Sequence, residues 1–149
     1  MLDEYSHIDK LNATGTKKTE ACCLDPSYVY LNTCSTFHQN INPNTVNNIH
    51  AVSWGLKPHI NGAVICTNQK ANYGEFLGGL EIWFQAKGLA NIISFHQLEK
   101  KYPITYAHEL KTFVVHTKGL NVEGGMVLFK RIPGGFPYVD PCDGEALSW

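Results

Sequence analysis

Tyr28-Val29-Tyr30-Leu31-Asn32-Thr33-Cys34-Ser35-Thr36 is the stretch that decides the fold. An apolar run leads here directly into small residues that carry hydroxyl or thiol groups. A strand that ends in a turn can hold a polar side chain in place with a rigid element behind it. The segment predicts a strand whose end is a candidate site, although an ordinary strand followed by a Ser/Thr turn would also fit.

Short apolar segments separated by Gly, Asn and Pro continue this pattern along the chain. We predict strands at residues 28–31, 51–56, 62–67, 80–84, 90–93, 104–106, 113–116 and 126–130. One short helix is expected at residues 94–101, between an N-cap serine, Ser94, and Pro103. Residues 42–48 could form a loop or a helical turn. Many short strands with one short helix predict an all-β fold, either a barrel or a sandwich.

Composition limits the function classes. The 149 residues carry a formal net charge of -1 and a single arginine, Arg131, so direct binding to nucleic acid is not expected. No apolar run is long enough to span a bilayer. The N-terminus lacks the features of a secretory signal, and five cysteines fit a reducing, cytoplasmic location. We expect a lead-in at residues 1–24, one domain at 25–140 and a C-terminal linker at 141–149.

Three segments resemble those of a known family. The opening stretch resembles the aspartic protease signature, an apolar strand followed by Asp-Thr/Ser-Gly-Ala/Ser. Residues 88–98 (Gly-Leu-Ala-Asn-Ile-Ile-Ser-Phe-His-Gln-Leu) and 102–106 (Tyr-Pro-Ile-Thr-Tyr) are similar to the Asn-Leu-Leu-Ser-Val-x-x-Leu element and the next strand of copia-type elements. Residues 113–116 and 129–140 extend the likeness. From residue 27 to 140 the chain resembles the retropepsin-like protease domain of copia-type retrotransposon polyproteins.

The resemblance implies a small closed β-barrel that works as a two-fold homodimer and needs no cofactor. Each subunit would give one aspartate to a shared dyad, and the substrates would be extended segments of its own polyprotein. An active element would place the domain in the cytoplasm, associated with virus-like particles. A flap would close over the substrate, and the Asn-Gly turn signal predicts it at Asn61, Gly62 and Ala63, within a hairpin that extends to residues 72–74.

Carried over position by position, the resemblance places the catalytic aspartate at Asn32 and its hydroxyl neighbour at Thr33. Cys34 replaces the usual glycine, and Ser35 completes the turn. A neutral amide cannot act as a general base, so we expect hydrolysis to be absent or severely impaired. No other aspartate is available in the body of the chain, because none lies between residues 26 and 139.

Other interpretations remain. Cys34 and His38 could form a thiolate and its base, as in a cysteine hydrolase, but no third residue to orient the histidine is evident. A metal site is not expected, because the chain has no Cys-x-x-Cys or His-x-x-x-His pair. We expect the strand aromatics Trp54, Trp83 and Phe84 to pack in the core. The alternatives to a protease are a noncatalytic peptide-binding or assembly module and a structural β-domain.

Overall fold

The computed structural model of the chain describes residues 24–56, 59–60, 63–64, 67–131 and 134–142. In this part of the chain, strands predominate and confirm the predicted all-β class. The strands are β1 Val29–Asn32, β2 Gln39–Asn40, β3 Asn47–Leu56, β4 His59–Ile60, β5 Ala63–Val64, β6 Thr67–Asn72, β7 Glu81–Phe84, β8 Asn91–Ser94, β9 Ile104–Ala107, β10 Thr112–His116, β11 Met126–Arg131 and β12 Pro137–Val139. The helix α1 spans Phe95–Lys101. Two single 3-10 turns occupy Pro43–Thr45 and Phe76–Gly78.

Ten of the strands form one sheet in the order β3-β6-β7-β2-β8-β1-β12-β11-β10-β9. Among the described residues, β3 and β9 each pair with one neighbour and not with each other. The prediction of a closed barrel is therefore wrong, because the sheet is open. The physical reason lies in the last third of the chain. Strands β9 to β12 form an antiparallel meander that lengthens the sheet at one edge instead of returning to the other.

Strand β8 lies between β1 and β2, although these two are close together in the sequence. Strand β1 pairs with β8 in parallel, with Asn32 opposite Ser94, and β2 pairs with β8 antiparallel. Residues 33–38, which join β1 to β2, therefore cross the end of β8 at the point where α1 begins. This crossing brings the candidate site and the start of the helix together.

The start of α1 follows its predicted capping signal. Ser94 is the N-cap residue, and its hydroxyl accepts a hydrogen bond from the Gln97 backbone N–H at 3.2 Å. The helix ends at Lys101, before Tyr102 and Pro103, in agreement with the prediction. Lys100 and Lys101 lie in its last turn, where cations interact favourably with the helix dipole.

Residues 47–72 contain two nested antiparallel strand pairs. Strand β3 pairs with β6, and between them in sequence β4 pairs with β5, with His59 opposite Val64 and Ile60 opposite Ala63. The single strand expected at residues 62–67 is wrong, because its described residues are divided between β5 and β6. Residues 42–48, expected as loop or helical turn, combine the first 3-10 turn with the start of β3.

The core lies mainly on one side of the sheet, where α1 packs through Leu98. Its main cluster contains Val29, Leu31, Ile93 and Phe129 among others. A smaller cluster forms around Tyr30, Ala90 and Phe136. Trp83 and Phe84 are buried as predicted. The prediction for Trp54 is wrong, because its side chain is 58% exposed.

Candidate functional site

The crossing segment, residues 33–38, is fixed to the start of α1 by hydrogen bonds. The Ser94 hydroxyl donates to the Ser35 carbonyl oxygen at 2.7 Å, and the Ser94 backbone N–H donates to Nδ1 of His38 at 3.0 Å. The Gln97 side-chain amide donates to the Thr36 carbonyl oxygen at 3.2 Å. The segment that follows Asn32 is therefore held by side chains from an element more than 50 residues away in sequence.

Asn32 ends β1 with its side chain 8% exposed. Its Oδ1 accepts a hydrogen bond from the Cys34 backbone N–H at 2.7 Å, which forms an Asx turn and fixes the orientation of the amide. Among the described residues, the Nδ2 group of Asn32 has no hydrogen-bond partner. One half of this amide thus shapes the turn, and the other half remains available.

The surroundings of Asn32 are apolar. A small pocket beside it, here called the Asn32 pocket, is lined by Leu24, Tyr30, Asn32, Ala90, Ile92 and Phe136. Its lining among the described residues includes no carboxylate. Asp25 and Asp140, the aspartates within the described residues, accept hydrogen bonds from Ser27 and Cys142 in local turns. The Ser27 bonds lower the pKa of Asp25, which is the opposite of the raised pKa that one member of a proton-sharing carboxylate pair shows.

The other predicted site residues divide into two groups. Thr33, Cys34 and Ser35 follow Asn32 in the crossing segment, and Cys34 is exposed. Cys34 is not among the residues with positive φ, so this turn does not require the glycine of the family signature. For the predicted flap, Asn61 and Gly62 lie outside the described residues. Ala63 begins β5, one strand of the pair that encloses them in sequence.

Two other buried asparagines, Asn40 and Asn91, have side-chain amides in which both the oxygen and the nitrogen form hydrogen bonds. Asn91 donates to the carbonyl oxygens of Pro26 and Tyr28 and accepts from the Ile41 N–H. Asn40 donates to the Tyr73 hydroxyl at 2.9 Å and accepts from the Asn42 N–H at 2.7 Å. Both amides connect distant segments of the chain, whereas the amide of Asn32 bonds only two residues ahead.

Ser94 and Gln97 belong to the site but were not predicted as site residues, and His38 was considered only as a possible base for the Cys34 thiol. Because Nδ1 of His38 accepts a hydrogen bond from Ser94, this atom cannot simultaneously act as a base toward the Cys34 thiol. The bond therefore weighs against a cysteine-hydrolase arrangement in which Nδ1 is the base. The one sequence signal for these residues was the position of Ser94 as an N-cap. Their meeting at the end of β8 could not be predicted, because it depends on the insertion of β8 between β1 and β2.

His38 also lines a second depression, here called the His38 groove. It has a volume of about 270 Å³ and is lined by Thr36, Phe37, His38, Lys70, Glu81, Ile82, Trp83 and Gln97. It shares no lining residue with the Asn32 pocket. The Lys70 ammonium forms an ion pair with Glu81 at 2.9 Å and lies 4.7 Å from the centre of the Trp83 ring.

Two further findings concern the described part of the chain only. It contains no group of three or more His, Cys, Asp or Glu side chains that could hold a metal ion. It also contains no helix with the length and apolar character needed to cross a membrane.

Comparison of the chain with models of protein families, with curated proteins and with solved structures found no match.

Proposed function

We propose that this chain is a retropepsin-like domain of a copia-type retrotransposon polyprotein that has lost hydrolytic activity through the presence of Asn32. The observation that supports the proposal best is the environment of Asn32. A buried polar side chain ends an apolar strand, fixes the following turn through one atom and keeps its other polar atom without a partner beside an apolar pocket.

An aspartate in the same place would have the features that this chemistry needs. One carboxylate oxygen would accept from the Cys34 N–H, as Oδ1 of Asn32 does, and the second oxygen would remain for water or substrate. Two such carboxylates across a two-fold axis would share one proton, so that one activates water while the other polarises the scissile carbonyl. The Asn32 amide can accept and donate hydrogen bonds but cannot take up the proton.

Extended segments of the parent polyprotein are the proposed ligands. Their backbone would pair with strand edges, and an apolar side chain would contact the residues that line the Asn32 pocket, whose free volume of about 10 Å³ admits no side chain unless these residues move apart. The nested pairs β3–β6 and β4–β5 supply the kind of hairpin that a flap requires, with Asn61 and Gly62 between the inner strands. Homodimerisation is part of the proposal, because one chain provides only one position 32.

The test is the substitution Asn32→Asp, with Asn32→Ala as the matched control. Both variants and the native chain are incubated with a mixed peptide library at mildly acidic pH, and new peptide termini are identified by mass spectrometry. Analytical ultracentrifugation establishes the oligomeric state of each protein first. We expect cleavage by Asn32→Asp alone. An Asn32→Asp dimer that leaves every peptide intact would refute the protease ancestry.

A second candidate function is that of a noncatalytic peptide-binding or assembly module. It is supported by the apolar residues that surround Asn32, because their contact with an apolar side chain of a ligand needs no carboxylate. Under this alternative the native chain and Asn32→Ala retain peptides on a pull-down from the same library, while Tyr30→Ala, which removes a wall of the pocket, releases them.

The burial of Asn32 within the single chain favours a third candidate, a β-domain with structural duties only. A monomer that retains no peptide from the library would support it. Equal losses of stability in Asn32→Leu and Asn91→Leu would support it independently.

A further inference from the structure

The tautomer of His38 follows from its hydrogen bond. A ring nitrogen that accepts a hydrogen bond carries no proton, and Nδ1 accepts from the Ser94 backbone N–H at 3.0 Å. The neutral ring must then hold its proton on Nε2. Burial, and secondarily the Lys101 ammonium, lower the pKa of His38 to about 4, so this neutral form persists at neutral pH. His38 thus presents one N–H donor of known identity.

This donor has no partner among the described residues. Within the described part of the chain, the His38 ring makes one hydrogen bond, from the Ser94 backbone N–H, and this bond uses Nδ1. A donor that is shielded from bulk water is less stable without a partner than with water or a ligand that accepts from it. Because His38 lines the groove, the groove is where such an acceptor can be supplied.

Gln97, an exposed residue of α1, provides the complementary group. Its Nε2 donates to the Thr36 carbonyl oxygen, which fixes the orientation of the side-chain amide. Its Oε1 has no partner among the described residues, and Gln97 also lines the groove. The groove therefore has an unused donor on the crossing segment and an unused acceptor on α1.

The charges of the groove compensate each other. Lys70 and Glu81 form an ion pair, and the described lining contains no other residue that is charged at neutral pH. A net charge on a ligand would have no counter-charge to meet. The volume of about 270 Å³ lies just below the roughly 300–1,000 Å³ of sites for drug-sized molecules and leaves room for a small polar group.

We propose that the His38 groove binds a carboxamide, the side chain of a glutamine or asparagine. The His38 Nε2–H would donate to the carboxamide oxygen, and Gln97 Oε1 would accept from its nitrogen. A carboxamide is neutral and carries its acceptor and its donor on two separate atoms, so that it can pair with both groups at once, whereas a Ser, Thr or Tyr hydroxyl carries both on a single oxygen. The inference does not depend on protease ancestry, because the groove and the Asn32 pocket have no lining residue in common.

The experiment titrates the full, isotope-labelled chain with N-acetyl-glutamine-N'-methylamide and follows the nitrogen and proton resonances of the groove. The signals observed are the His38 ring, the Gln97 side-chain amide and the Trp83 indole. Matched probes carry glutamate or norleucine in place of glutamine, and free glutamine is titrated separately. We expect saturable shifts with the glutamine probe and at least tenfold weaker binding of the other two capped probes.

Two variants assign the effect to His38. His38→Asn keeps an acceptor for the Ser94 N–H but removes the ring donor, and we expect it to bind the glutamine probe at least tenfold more weakly. His50→Asn is the control, because His50 is exposed on β3, where its Nδ1 lies 2.7 Å from the Asn48 carbonyl oxygen. This control should bind the probe as the native chain does.

Each outcome is decisive. The absence of saturable shifts up to the solubility limit of the glutamine probe overturns the proposal, and so does equal binding of the norleucine probe. Unchanged binding by a folded His38→Asn variant overturns the role of His38. Tighter binding of the capped probe than of free glutamine supports a peptide as the source of the carboxamide, and equal binding supports recognition of the carboxamide alone. None of these results affects the cleavage test of Asn32→Asp.

Discussion

At the scale of single residues, three buried asparagines carry different consequences. The amides of Asn40 and Asn91 have partners for both their oxygen and their nitrogen, as buried polar groups in folded proteins usually do. Asn32 makes one bond to Cys34 and places the remaining donor beside apolar side chains. An apolar residue would suit that pocket better, so stability alone does not explain a polar residue at position 32.

Leucine substitutions test this comparison. Asn91→Leu removes three hydrogen bonds, those of Asn91 to the Pro26 and Tyr28 carbonyl oxygens and to the Ile41 N–H, and we expect it to lower the free energy of unfolding by about 3 kcal/mol or more. Asn32→Leu removes only the hydrogen bond from the Cys34 N–H, and it should lower the free energy of unfolding by less than about 1 kcal/mol. Urea unfolding measures both. Equal losses would support a purely structural role for Asn32.

The partly buried ring of His38 predicts a dependence of stability on pH. Its pKa is about 4 in the folded chain and has the ordinary value of 6.5 when unfolded. Between these values the unfolded chain binds more protons, so the stability linked to His38 is complete above pH 6.5 and is lost as the pH falls toward 4. The Lys101 ammonium of α1 disfavours the charged form of the His38 ring. Lys70 and Glu81, which pair with each other, line the same groove.

Unfolding by urea at several pH values between 7 and 4 gives the measurement. The native chain should lose stability more steeply over this interval than His38→Asn, which keeps the Ser94 bond and cannot titrate. If the two proteins show the same slope, another group is responsible for the dependence.

At the scale of elements, the sequence was sufficient to predict those strands and helices whose structure depends on their own residues. The strand that leads to Asn32 and the helix after Ser94 could be predicted, because the apolar pattern of the strand and the capping residue of the helix each involve only a few neighbouring residues. Strands β2 and β12 were missed because two or three residues hold no periodic pattern, and only their neighbours make them strands. The arrangement of the site could not be predicted, since it depends on β8 lying between β1 and β2.

Ser94 connects the helix to the site, so its substitution should affect both. Ser94→Ala removes the cap of α1 and the bond to the Ser35 carbonyl oxygen, and we expect a loss of about 1–2 kcal/mol in the free energy of unfolding. Hydrogen exchange should accelerate at the Gln97 amide. Ser53→Ala, at an exposed position of β3, is the matched control and should change neither quantity. Unchanged exchange at Gln97 would contradict the capping role.

At the scale of the whole molecule, the open sheet has two end strands with different properties. Strand β3 contains ten residues, none of which is charged or proline, and Ile49 and Trp54 are exposed along it. Charges and prolines are the usual means by which edge strands avoid pairing with other chains. Within the described residues, β3 pairs with β6 only. Strand β9 also lacks charges and prolines but has only four residues, so β3 offers the longer edge for association, interrupted by the irregularities in its register with β6.

A single charge on β3 should reduce such association. We expect Ala51→Lys to lower the concentration-dependent light scattering of the purified chain, because paired edges would bring like charges together. Asn44→Lys adds the same charge at an exposed position of the first 3-10 turn and should leave scattering unchanged. An equal fall in both variants would mean that net charge, rather than the β3 edge, controls association.

The position of β8 has a consequence for the order in which the molecule is made. During synthesis, β1 and β2 leave the ribosome well before residues 91–94, so the place between them stays empty while the intervening part of the chain is added. Asn91 then has to reach Pro26, which is 65 residues away. Contacts of such separation slow folding. The nascent chain therefore acquires its candidate site late, and until β8 arrives its two unfilled strand edges are the ones that a chaperone would need to protect.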